Sequence, residues 1–156
     1  MPIDVWAPTL KANMAAIAAI ADEDGQVHLY DELPGTIVVF PTMLIVPTGG
    51  DQEYSLGGPA IAHHVMQLTL YVASQILPEA YAVAVPFIEL IRNALAADIQ
   101  LGGNCEYCLP VTAPAPFYEG PGSIEYGDKT HLGIIFRVVV KENESGTFEV
   151  AGRYYE

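Results

Sequence analysis

Two stretches of the chain alternate between an inward apolar set and a mixed set of residues, the pattern of a β-strand with one buried face. Between His63 and Ala73 the two phases are His64, Met66, Leu68, Leu70 and Val72, and His63, Val65, Gln67, Thr69 and Tyr71. Between 132 and 140 the inward phase consists of Leu132, Ile134, Phe136, Val138 and Val140. The outward residues of this second stretch are only half polar, so we expect its other face to be partly covered too.

Shorter patterns predict the remaining elements. Helical spacing predicts a first helix over residues 8–21, with Pro8 as its first residue, and a second helix that begins after Pro78 and ends near Gly102-Gly103. A β-branched run predicts a strand at 36–40, and strand-like composition predicts two further strands at 42–46 and 105–111. The order of these elements indicates an α+β fold, an antiparallel β-sheet with two helices packed on one face and extended loops or arms.

The length of 156 residues is typical of one domain. We assign residues 1–145 to a single α+β domain and 146–156 to a C-terminal extension. Gly- and Pro-rich composition predicts arms at about 47–59 and 112–123. The chain has no stretch near ~20 uninterrupted apolar residues, so we predict no membrane span. Residues 14–21 resemble a short signal core, but the residues before them carry no net positive charge, which favours a helix.

The charge balance excludes several classes of protein. Six Lys and Arg stand against 19 Asp and Glu, a net charge of -13, which argues against binding nucleic acid through its phosphates or docking on an anionic membrane. No basic residue lies between Lys11 and Arg92. Charged residues make up only 16% of the chain, against about 25% in a typical domain. We therefore expect a protein partner to cover part of the surface.

Cys105 and Cys108 have the C-x-x-C spacing of redox pairs and of half zinc sites. A redox thiolate needs a helix N-terminus, whereas this pair enters a predicted strand, in which positions i and i+3 point to opposite faces. A zinc site needs two further ligands, and the adjacent His63 and His64 also point oppositely. No phosphate-binding loop or nucleophile elbow occurs. We favour Cys105 as a small core residue and predict no enzyme, no catalytic residue, no metal and no cofactor.

A series of motifs gives the chain a resemblance to a known family. Leu33-Pro34-Gly35 leads into the predicted strand at 36–40, an arm and a long strand follow, and Ile91-Arg92-Asn93-Ala94-Leu95 belongs to the second helix. Ile124-Glu125-Tyr126-Gly127 then precedes a strand that bears Gly133 and Phe136. Over roughly residues 8–142 this layout resembles the tail terminator and tail-completion family of long-tailed bacteriophages. The 112–123 loop and the 146–156 extension have no counterpart that we can map to the family core.

The resemblance implies a structural virion protein, made in the host cytoplasm, that forms a homohexameric ring at the head-proximal end of the tail. Such a ring ends tail-tube polymerisation and joins the tail to the head. The implied partners are other copies of the chain, the tail tube protein and the head connector or closure protein. DNA passes through the ring without specific binding, and an acidic channel would repel its phosphates.

These expectations can be attached to particular residues. We expect acidic side chains at the channel or its rim, namely Asp22, Glu23, Asp24, Asp51 and Glu53. We expect subunit or partner interfaces, including burial of 36–46 by a neighbouring copy, at Ile37, Val39, Tyr54, Leu56, Phe117, Tyr118, Arg137, Tyr154 and Tyr155.

Three alternatives stay open. A head-side connector or head-closure protein of the same neck would differ only in its partner. A monomeric redox or metal-binding domain would use Cys105 and Cys108 and would have reactive thiols. A small acidic enzyme would need a pocket that shifts the pKa of a carboxyl group.

Overall fold

The computed structural model describes residues 3–17, 27–29, 35–37, 40–53, 59–112 and 115–147. Its helices are α1 (Ile3–Ala15), α2 (Pro78–Ala84) and α3 (Pro86–Ala97). Its strands are β1 (Val27–Leu29), β2 (Thr42–Glu53), β3 (Pro59–Ala73), β4 (Tyr107–Pro110), β5 (Tyr118–Tyr126) and β6 (Lys129–Thr147). The α+β class predicted from the order of elements is confirmed.

The strands of the described residues form one sheet, in the order β1-β2-β3-β6-β4, with β5 also paired to β6. All pairs are antiparallel except β1 with β2. β3 and β6 pair from Ala73 opposite Leu132 to Pro59 opposite Thr147. We call the end of the sheet where β6 begins the base, and the end where β6 finishes the tip.

The inner face of the sheet carries the main hydrophobic core. The inward phases predicted for β3 and β6 are confirmed, since Leu70, Phe136 and their inward neighbours are buried. α1 adds Trp6, Leu10 and Met14 to this core, and α3 adds Phe87, Ile91 and Leu95. Each large apolar side chain that leaves water here contributes about 1.5–3 kcal/mol.

The outer face is covered at the base by a second, smaller cluster. Ile37, Leu44 and Tyr71 are buried there, and further apolar side chains pack on them, namely Phe40, Ile124 and Tyr126. Gly133 lies opposite Tyr71, and a Cβ at this position would overlap the carbonyl oxygen of Leu70, so no larger residue fits. The expectation that the second face is partly covered is confirmed at this end.

The first helix differs from the prediction at its start. It begins at Ile3, and Pro8 lies inside it rather than at its first position. The reason is Trp6, whose side chain is fully buried in the core, so that the segment before Pro8 is also held as helix. Pro8 removes one backbone hydrogen bond from the helix. The predicted end at 21 lies outside the described residues.

One strand prediction and both predicted arms also differ from the structure. In the arm predicted at 47–59, residues 47–53 belong to β2 and residue 59 begins β3. Residues 36, 37 and 40 are not strand, and 38–39 lie outside the described residues. Instead, the buried side chain of Ile37 packs in the outer cluster with Leu44 and Tyr71. In the predicted 112–123 loop, residues 118–123 belong to β5. β5 accommodates Pro121 because its register with β6 shifts between Glu119 and Gly122, so the proline need not donate to the ladder.

Candidate interaction surfaces

The C-x-x-C pair lies in the core. Cys105 and Cys108 are free, buried thiols of the main cluster, and Cys105 precedes β4 rather than lying in it. The expectation that they point to opposite faces is therefore wrong. Burial, with a smaller effect of nearby charges, raises the pKa of Cys105 to about 11 and that of Cys108 to about 12. Both thiols are protonated at neutral pH, and no group of three or more His, Cys, Asp or Glu in the described segments could hold a metal ion.

A buried polar group closes the inner face at the tip. Glu142, only 4% exposed, accepts a hydrogen bond from Trp6 Nε1 at 2.5 Å and lies 3.1 Å from His64 Nε2 through its other oxygen. The Trp6 and His64 rings are 5.5 Å apart. Sequence reasoning missed this cluster, although a signal existed. The inward phase of β6 continues in register to Glu142, and His64 is inward in β3.

Of the acidic residues predicted at the channel or its rim, Asp51 alone has a side chain that the structure describes. Asp51 lies at the tip with its side chain 73% exposed, 3.1 Å from His63 Nδ1 across the β2–β3 pair. Glu53 lies opposite Ile61 in the same hairpin. Asp22, Glu23 and Asp24 lie outside the described residues.

The predicted interface residues separate into buried and accessible ones. Ile37 is 6% exposed and Met43 and Ile45 are fully buried within the chain, so at these three positions the chain itself provides the burial that we expected from a neighbour. Phe117 is partly buried and packs its ring 5.5 Å from that of the core residue Phe136.

Other predicted interface residues are more accessible. Tyr118 is 39% exposed at the β5 edge. Arg137 Nη1 is 2.5 Å from Glu119 Oε2 in an ion pair, and the arginine side chain is 19% exposed. Val39, Tyr54, Leu56, Tyr154 and Tyr155 lie outside the described residues.

The outward side of the α2–α3 segment is an apolar surface that sequence reasoning missed. It is defined by exposed residues of 76–90, namely Ile76, Leu77, Tyr81, Val83, Val85 and Leu90, and we call it the helix face. The sequence did contain a signal for this surface, because Glu79 is the single charged residue of 78–86. A helix with so few charged residues is apolar on its outward side as well as on its buried side. Pro78–Ala97, although interrupted by charged residues, is long and apolar enough to pass as a membrane span by length and composition alone, at 20 residues and a mean hydropathy of 1.3. Its inner side is part of the domain core, through Ala84, Phe87, Ile91 and Leu95.

A cavity of about 510 Å³ lies at the base, and we call it the base cavity. Its apolar lining is Ile37 and Phe40, and its polar lining is Ser74, Gln75, Lys129, Thr130 and His131. His131 Nδ1 lies 3.2 Å from the carbonyl oxygen of Ser74, whereas the buried Nε2 has no hydrogen-bond partner among the described residues. The rings of Phe40 and Tyr71 lie 5.1 and 5.9 Å from the His131 ring. This end of β6 therefore holds a polar atom that the described part of the chain leaves unsatisfied.

Comparison with protein-family models and with curated proteins finds no match for this chain. Function must therefore be inferred from three features, which are the helix face, the acidic tip and the base cavity.

Proposed function

We propose that this protein is a structural subunit of a bacteriophage tail. Its copies form a ring at the head-proximal end, which ends tail-tube polymerisation and joins the tail to the head. The observation that carries the proposal is the helix face. The α+β fold is also the fold expected from the resemblance to the tail terminator family. This agreement supports the more specific assignment to the tail.

The helix face is suited to burial against another chain. Leu77, Tyr81 and Val85 are spaced at i, i+4 and i+8, so they form one stripe along α2. They are 44%, 38% and 53% exposed, respectively. Contiguous apolar stripes of this kind are typical of protein interfaces.

Charge explains why contact between copies would use this face. Two copies that each carry a net charge of -13 repel one another, and the repulsion is weakest where the charge density is lowest. The stripe has only Glu79 as a charged neighbour on α2. Removal of apolar area from water there offsets the repulsion by roughly 25 cal/mol per Å².

A closed ring also needs a second, different surface on each copy, because head-to-tail contacts join unlike patches. The β4–β5 edge offers one. Leu109 and Tyr118 are each 39% exposed on these two strands. We therefore infer that the helix face of one copy lies against the β4–β5 edge of the next.

The acidic tip suits a channel through which DNA passes. Asp51 is exposed there, and DNA is repelled by a wall of like charge. We propose that the β2–β3 hairpins line the hole or its rim. Lys141, a described cation near the tip, would not attract DNA strongly, because its ammonium already has partners. Lys141 Nζ lies 3.8 Å from Glu106 Oε2 and over the Tyr107 ring.

Native mass spectrometry of the chain, alone and mixed with polymerised tail-tube protein, tests the proposal. We expect a closed ring, either in solution or only on the tube. Tyr81→Glu should abolish the ring while circular dichroism stays unchanged. Ala96→Glu adds the same charge at an exposed position of α3 that is not adjacent to Leu90 and is the matched control, which should leave the ring intact.

Other outcomes would contradict the proposal. A chain that stays monomeric and ignores tubes is not a terminator. Binding to the head connector but not to the tube would instead support a head-closure protein. Rapid labelling of Cys105 and Cys108 by a thiol reagent in the native monomer would favour the redox alternative, which the raised pKa values of both thiols oppose.

A further inference from the structure

We propose that the base cavity of one copy binds the aromatic end of the 148–156 segment of a neighbouring copy, with Tyr154 or Tyr155 inserted beside His131. The inference rests on the proposed function only in requiring that copies meet. It gives the ring a second contact, made by a tail that crosses from subunit to subunit.

His131 defines the chemistry that the cavity accepts. The carbonyl oxygen of Ser74 can only accept a hydrogen bond, so the Nδ1 that lies 3.2 Å from it carries the proton. In the neutral ring Nε2 is then a bare acceptor, and it is buried without a partner in the segments that the structure describes. Such an atom lowers the stability of the fold until a donor reaches it. A phenol hydroxyl is a donor attached to an apolar ring.

The remaining lining matches the rest of such a residue. Phe40 and Ile37 form an apolar wall, and Phe40 already packs at a tilt on the His131 ring, an arrangement that favours a further aromatic ring. The volume of about 510 Å³ lies within the ~300–1,000 Å³ of ligand pockets. The cavity therefore fits an amphipathic aromatic side chain.

The sequence of 148–156 supplies these groups. It reads Phe-Glu-Val-Ala-Gly-Arg-Tyr-Tyr-Glu, so two phenols are followed by Glu156. Lys129 lines the cavity and is exposed. The ammonium of Lys129 can therefore pair with the Glu156 carboxylate once a tyrosine is inserted.

The segment cannot reach the cavity of its own copy. The cavity lies at Lys129, where β6 begins, and residue 147 lies at the far end of β6. The 18 residue steps between them span about 60 Å of strand at ~3.3 Å each. The nine residues 148–156 reach about 30 Å when fully extended. A 148–156 segment can therefore enter the cavity only from a second copy.

A labelled synthetic peptide of residues 148–156 tests the proposal by fluorescence anisotropy on the full chain, held at a concentration where it is monomeric. We expect saturable binding. A peptide with both tyrosines changed to alanine should bind at least 10-fold more weakly. In the protein, His131→Phe should weaken binding about 10-fold, whereas His63→Phe at the tip should not change it.

Two results would overturn the inference. One is the absence of saturable binding up to millimolar peptide. The other is equal binding by the alanine peptide, which would mean that charge alone attracts the segment. Lys129→Glu serves as an independent variant, since it lies at an exposed position that the fold does not bury, and it should also weaken binding.

Native mass spectrometry separates this inference from the proposed function. Rings that form equally well from a Tyr154→Ala/Tyr155→Ala chain, together with no peptide binding, would overturn the tail contact and leave the ring proposal standing. Peptide binding by a chain that never assembles on tubes would support the cavity assignment and overturn the terminator proposal.

Discussion

The two ends of β6 each hold a buried polar side chain, and the two are satisfied to different degrees. At the tip, both oxygens of Glu142 have partners, Trp6 Nε1 and His64 Nε2. At the base, His131 Nδ1 bonds to the Ser74 carbonyl, and Nε2 has no partner among the residues described. The polar group at the tip is thus satisfied by the chain's own residues, whereas the described residues leave one atom of the base group unsatisfied.

This difference indicates separate roles for the two ends. A buried polar group whose partners all come from the same chain fixes the position of those partners. Glu142 thus holds α1, through Trp6, on the inner face of the sheet. A buried acceptor beside a cavity has an unused lone pair, which can accept a hydrogen bond from another molecule. We therefore regard the tip cluster as structural and the base as a binding position.

The largest expected effect comes from breaking the closed end. Trp6→Ala removes a fully buried aromatic side chain and should lower the free energy of unfolding by about 3–5 kcal/mol. Trp6→Phe keeps most of the packing but removes the donor to Glu142, which should cost about 1–3 kcal/mol. Urea denaturation measures both. Val5→Ala, at a 36% exposed position of the same helix, is the control and should change stability by less than about 0.5 kcal/mol. A Trp6→Ala loss below about 1 kcal/mol would show that the tip is not part of the core.

Matched substitutions of the two histidines sharpen the comparison. His64→Phe leaves one oxygen of the buried Glu142 without its partner and should cost about 1–3 kcal/mol in urea denaturation. His131→Phe loses the bond to Ser74 but also removes the unpartnered Nε2, so we expect a net change below about 1 kcal/mol. Equal losses at both positions would remove the distinction between a closed and an open end.

The smallest expected effect is on stability at alkaline pH, to which both ends contribute. Burial raises the pKa of Cys105 to about 11 and of Cys108 to about 12 on the inner face, and that of Tyr71, beside His131, to about 12. In the unfolded chain the thiols ionise near a pKa of 9.0 and the phenol near 10.0. The folded state keeps these protons longer, so their contribution to stability is complete below pH 9 and is lost as the pH rises towards 12.

Melting temperatures between pH 8 and pH 12 test this expectation. The Cys105→Ala/Cys108→Ala variant should lose the part of the decline that begins near pH 9. It should keep the part that begins near pH 10, which belongs to Tyr71 and to Tyr126, whose pKa is also raised by burial. A variant whose melting temperature falls with pH in the same way as the wild type would show that the thiols do not contribute.

Periodicity predicted the sheet where a strand is long and faces the core. β3 and β6 could be read from 63–73 and 132–140 because burial on one face leaves an alternating sequence. β5 could not, since Gly120 and Pro121 have the composition of a loop, and only pairing with β6 makes the segment a strand. Long-range contacts likewise override local signals at Pro8, which the burial of Trp6 places inside a helix.

The candidate surfaces were less predictable than the fold. Acidic residues and half-apolar strands indicate association, but they do not reveal which apolar side chains stay exposed. The sequence predicted Ile37 as an interface residue, but its side chain is buried in the chain's own outer cluster. Tyr81 and Val85 were predicted only as part of a helix, and their side chains are exposed. Exposure depends on which side of a helix meets the sheet, and this is decided by tertiary packing.

The contact between Trp6 and Glu142 is completed late during synthesis. The two residues are 136 positions apart, so the ribosome makes Trp6 long before its buried acceptor. At about 5–20 residues per second, the indole donor waits on the order of ten seconds for the Glu142 carboxylate. β1 and α3, which also pack against α1, are translated before β6. The helix can therefore meet these elements first, and the buried hydrogen bond closes the tip as a later step.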